Sequence, residues 1–119
     1  MEIVIHEINN IKVAEIISDE VLIREIQDAL DLMADVDTRG TWKIIIHEKN
    51  LVPQFFDLKT ILAGDILQKF SNWNFQLAII GEFSKYKSNS LQNFIYESNR
   101  GNRIFFVENI EKALFRLAN

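Results

Sequence analysis

Thr41-Trp42-Lys43-Ile44-Ile45-Ile46-His47 is the stretch on which the fold turns. Its three successive isoleucines do not alternate with polar residues, which is how a strand reads when helices cover both of its faces. The run has strand length, about four to eight residues, and β-branching suits an extended backbone. Residues 75–80, closed by Gly81, read the same way, and so do residues 103–107. Helical periodicity lies between and after these runs. From Asp57, the positions Leu58, Ile61, Leu62, Ile66 and Phe70 form an apolar stripe, while Thr60, Asp65, Gln68 and Lys69 stay off it. Ser88 or Asn89 caps the next helix, with Leu91, Phe94, Ile95 and Ser98 facing inward and Gly101 as its stop. Ile110, Ala113, Leu114 and Leu117 then give a short last helix one apolar face.

Upstream, residues 3–8 and 11–16 are two β-branched runs joined by Asn9-Asn10, and asparagine tolerates the left-handed backbone of a tight hairpin turn. Ser18-Asp19 reads as the N-cap of a first helix carrying Leu22, Ile26, Ala29, Leu30 and Met33, which ends in the polar residues 35–40. Strand-helix units in succession imply right-handed crossovers and a parallel sheet. The expectation is an α/β fold with a mostly parallel mixed sheet, an N-terminal antiparallel hairpin and about four helices.

The chain has 119 residues, 48% of them apolar, which is enough for one core; residues 1–119 read as a single domain. A net charge of −4 disfavours nucleic acid as a partner. The absence of cysteine removes disulfides, thiolate metal sites and thiol nucleophiles. Residues 1–7 carry acids in their apolar stretch and lack a basic leader, so they read as a strand rather than a signal. No apolar run approaches the roughly 18 to 20 residues of a membrane span. The expectation is a cytoplasmic protein with no membrane partner.

Phe55-Phe56-Asp57-Leu58-Lys59-Thr60-Ile61-Leu62-Ala63-Gly64-Asp65-Ile66-Leu67-Gln68-Lys69-Phe70, then Gly81-Glu82-Phe83, residues 94–101 and Phe105-Phe106-Val107 resemble the bacterial domain-of-unknown-function 4180 family. The likeness takes in most of residues 40–118. The order of a buried strand, a connector through Pro53 and then Phe56-Asp57, with Glu111, Ala113 and Leu114 near the end, resembles more distantly the STAS domain. That is the fold of anti-sigma-factor antagonists and of the cytoplasmic tails of sulfate transporters. The resemblance implies a STAS-like sandwich and a partner-binding surface. Where such antagonists carry a phosphorylatable serine, this chain has Leu58 or Lys59, and Thr60 is the nearest hydroxyl.

In open α/β sheets, ligands gather beyond the carboxyl ends of the parallel strands. Three segments are expected there: residues 47–50 with 57–60, residues 81–86, and Glu108-Asn109. Asp57, Lys59 and Thr60 share one helical turn, with Asp65 and Lys69 further along. Asp57 reads as a base or cation ligand, Thr60 as its hydroxyl partner and Lys59 as an anion holder; the plainer reading makes Asp57 a helix cap and Lys59 a solvated side chain. Tyr96, Glu97, Asn99 and Arg100 crowd the end of the third helix. Arg100 complements the dipole there and Asn99 or Gly101 supplies a left-handed cap, which leaves Tyr96 and Glu97 to bind a ligand or to pair with Lys69 or Arg103. His47-Glu48 has no second histidine at metal spacing and His6 stands alone, so no metal site is expected. No serine elbow and no glycine-rich phosphate loop is present. Trp73 and Tyr86 fall in loops and are the expected self-association or partner surface, with Trp42 undecided.

With no complete catalytic set, the leading reading is a protein-binding or regulatory module that needs no cofactor, acting through residues 57–69 and 82–87. Its partner is another protein or a second copy of the chain. The alternative is a small enzyme or ligand-binding protein with a polar pocket around Asp57, Thr60, Lys69 and Glu97 that takes a small molecule. Candidate binding residues are Asp57, Lys59, Thr60, Asp65, Lys69, Tyr86, Glu97, Asn99 and Arg100.

Overall fold

A computed structural model describes residues 1–119. Five strands form one sheet in the order β1-β2-β3-β4-β5, the order of the chain itself. β1 (Glu2–Ile8) and β2 (Ile11–Ile17) are antiparallel, joined by Asn9 and Asn10 at φ of 55° and 65°. This is the left-handed pair that a two-residue hairpin demands. β3 (Lys43–His47), β4 (Gln76–Ile80) and β5 (Ile104–Val107) add in parallel, as the three apolar runs led one to expect.

Since each crossover steps to the next position in the sheet, crossovers of one hand put their helices on one face. α1 (Ile26–Asp37), α2 (Leu62–Asn72) and α3 (Asn89–Arg100) all pack there, against Ala14, Ile16, Ile44, Ile46, Leu77, Ile79, Ile104 and Phe106. Residues of opposite parity, Val13, Ile45, Ala78, Phe105 and Val107, point to the other face, where α4 (Ile110–Leu117) sets Ala113 and Leu117 against them. Lys43 ties that helix down, donating to Leu117 O at 2.7 Å and to Gln76 Oε1 at 2.6 Å. Burial, seconded by the charge of Arg103, holds this ammonium below its ordinary pKa.

Two helix starts differ from the sequence reading. Ser18 and Asp19 do not cap α1, which begins at Ile26 after Glu25, with Asp28 Oδ2 accepting from the Arg24 and Glu25 N–H groups. The cause lies beyond β3: the wholly buried Asn50 donates to Ser18 O and Glu20 O, each at 2.8 Å, and Ile23 pairs with Leu51. These contacts hold the segment extended. The second helix does not run on from Asp57. A short turn, Leu58–Thr60, ends at Ile61 with φ of 57°, and α2 starts afresh at Leu62. Ile61, placed by periodicity on the core stripe, is 67% exposed.

Candidate functional site

Glu48 leaves β3 at its carboxyl end, with its side chain only 15% exposed, and gathers donors from the loop after β4. Tyr86 Oη donates to Oε2, Lys85 Nζ lies 2.8 Å from the same oxygen, and the Glu82 N–H reaches Oε1 at 3.3 Å. Burial is the largest single influence on this carboxyl and acts upward. The hydrogen bonds from Lys85, Tyr86 and Glu82, with the Lys85 charge, outweigh it and hold the pKa below its ordinary value. Tyr86 moves the other way, its phenol raised by burial and then by its bond to the Glu48 carboxylate and that charge.

Gly81 makes this approach possible. A Cβ there would lie 2.6 Å from Glu48 Oε1 and 2.8 Å from Glu48 Cβ, so any larger residue displaces the carboxylate from its donors. Aromatic contact joins the loop to the segment before α2: Tyr86 stacks on Phe56 with centroids 5.1 Å apart, and Phe83 lies 6.0 Å from the same ring. Glu48, Pro53, Phe56, Lys85 and Tyr86 line a shallow crevice of about 310 Å³. The expected gathering of residues 47–50 and 81–86 is therefore present, organised by Glu48 rather than by Asp57. Tyr86, expected as an exposed loop residue, is half-buried here.

The remaining candidates do not form one pocket. Asp57 caps its own turn, accepting from the Lys59 N–H at 3.1 Å. Thr60 Oγ1 lies 2.8 Å from both Gln54 O and Asp57 O and accepts from the Leu62 N–H at 3.3 Å. Lys59 and Asp65 are exposed and Lys69 is half-buried on α2. On α3, Glu97 pairs loosely with Arg100 at 3.9 Å, not with Lys69 or Arg103, and Arg100 lies over the Tyr96 ring at 5.7 Å. Neither Asn99 nor Gly101 is left-handed; Gly101 ends α3 with φ of −85°. Asn99 instead serves the fold, accepting from the Phe106 N–H at 2.7 Å and donating to Phe106 O at 3.1 Å.

Sequence reading also left His6 alone. In the structure Glu15 joins it to His47, with His6 Nε2 at 2.9 Å from one carboxylate oxygen and His47 Nε2 at 3.0 Å from the other. A carboxylate accepts, so both imidazoles donate from Nε2. The period-two alternation of β1, β2 and β3 carries the signal, since it sets all three side chains on one face, but only the strand register makes it readable. No group of three or more histidine, cysteine, aspartate or glutamate side chains is arranged to hold a metal ion. No helix is long and apolar enough to cross a membrane.

A family model described as a domain of unknown function (DUF4180) matches residues 8–117. No curated protein and no solved structure matches the chain.

Proposed function

A match over residues 8–117 means that the chain belongs to the DUF4180 family, and from that premise we propose that it is a STAS-like protein-binding, regulatory module without catalytic activity. The partner docks on residues 57–69 and 82–87, starting from the loops at the carboxyl end of the parallel strands. The observation that carries this reading is the Tyr86–Phe56 stack, which makes one continuous surface of two segments that are separate in sequence. Exposed Lys59, Lys85 and Lys87 project from it among exposed Asp57, Asp65 and Glu82, so it offers charges of both signs. Such a mixed pattern of charge selects a partner that carries the complementary pattern and fixes its register more than it adds affinity. Ile61 supports the reading too. An exposed β-branched residue held left-handed at the junction of the surface is stored strain of the kind found at binding and switch segments.

The enzyme alternative has less support, because Asp57 and Thr60 spend their polar atoms on their own turn and Glu97 lies on a different helix. The test is capture of the tagged full chain from its own host cells, with mass spectrometry and then direct binding of the purified partner. One protein should be recovered reproducibly by the natural chain and lost with Lys59→Glu. Identical recovery by both, or turnover of a small molecule by the purified chain alone, would overturn the proposal.

A further inference from the structure

The opposite end of the sheet holds a feature that the proposed docking surface does not use. Trp42 and Trp73 precede β3 and β4, so they stand at the amino end of the parallel strands, and they are 55% and 64% exposed. Both line one crevice of about 410 Å³, together with Leu30, Met33 and Phe75; its one charged lining residue is Asp37. Met33 and Phe75 belong to the buried core, which gives the crevice an apolar floor.

Asp37 is poorly placed for stability alone. It is the last residue of α1, whose final turn contains no basic residue, so its charge adds to the negative end of the helix dipole. Its neighbour Asp35 is compensated by Arg39 at 3.5 Å, whereas Asp37 takes part in no ion pair. Asp37 Oδ1 accepts the Trp42 indole N–H at 2.7 Å, which orients that ring beside the carboxylate. An uncompensated carboxylate, a helix C-terminus and two exposed indoles all favour positive charge, while the floor favours hydrocarbon.

We propose that this crevice binds an apolar-bodied organic cation, an alkylammonium or arylammonium, with its charge beside Asp37 and its body against Trp42 and Trp73. Indole is the strongest cation-attracting ring among the side chains, and apolar walls admit the body of such a ligand without leaving a polar group unpaired.

The chain has two tryptophans, both in this crevice, so its intrinsic tryptophan fluorescence reports on this place alone. The full chain is titrated with benzyltrimethylammonium, with benzyl alcohol as the uncharged comparison and benzoate as the anionic one. The expected result is a saturating change with the cation, binding weaker by about tenfold or more with the alcohol, and none with benzoate. Asp37→Asn keeps an acceptor for the Trp42 indole and is expected to weaken cation binding by about tenfold while leaving that of the alcohol unchanged. Equal affinity for cation and alcohol, or a fluorescence change that never saturates, would overturn the proposal without recourse to any variant.

Discussion

Ile61 is where local geometry and residue type disagree. A left-handed backbone costs an L-residue about 1–2 kcal/mol, and β-branching adds to the crowding. At 67% exposure the side chain recovers little of this through burial. Ile61→Gly is therefore expected to raise the unfolding free energy by about 0.5–1 kcal/mol, after allowing for the greater freedom of glycine in the unfolded chain; a higher urea midpoint is the measurement. If the strain serves partner docking, the same variant binds more weakly although it is more stable. Glu48 is the second residue with a clear consequence. Its pKa in the folded protein lies below the ordinary 4.5, so its contribution to stability is present above that pH and is lost as the pH falls through the depressed value. Glu48→Gln should lower stability by about 1–3 kcal/mol near neutrality. Urea midpoints taken from about pH 7 down to about pH 3 should show the natural chain and the variant converging.

Among the elements, β5 needs explanation, because it is an edge strand that is buried along its whole length. Arg103 O accepts from Leu77 of β4 and Val107 O from Gly81 just beyond it, so the N–H and C=O of the alternate residue Phe106 point outward, away from the sheet. Asn99 on α3 satisfies both groups and closes the edge against pairing with another chain. Arg116 reinforces the arrangement by donating to Asn99 O while lying over the Phe105 ring at 4.5 Å. Asn99→Leu should cost about 1–3 kcal/mol, the penalty of leaving a buried backbone donor unpaired, and light scattering should detect self-association of the opened edge. Patterning made the strands, the hairpin and the last two helices legible, since each is written in a window of a few residues: Ile44-Ile45-Ile46, Asn9-Asn10, Ser88 before Leu91. The start of α1 was not legible, because Asn50 sets it from 30 residues away. The break at Ile61 was hidden by an apolar stripe that passes through it unchanged.

At the level of the whole molecule, the candidate sites occupy opposite ends of one sheet. Parallel strands of five residues separate those ends by about 17 Å, beyond the range of roughly 7–10 Å over which substitutions usually couple. The stability changes of Asp37→Asn and Glu48→Gln should consequently add to within about 0.5 kcal/mol in the double variant, as read from urea midpoints. The same distances explain what sequence reading missed. The Glu48–Tyr86 pair spans 38 positions and the His47–Glu15 pair spans 32, so neither exists as a motif until the sheet has been assembled. The strand order has a consequence of a different kind. Because every strand lies beside its neighbour in sequence, each one can dock as it leaves the ribosome, without waiting for anything downstream. The helical layer of α1, α2 and α3 can thus form progressively during synthesis. The other face cannot: Val13, Ile45 and Ala78 stay open to water until α4 emerges, so between the docking of β4 and the arrival of α4 the nascent chain carries an uncovered apolar sheet face.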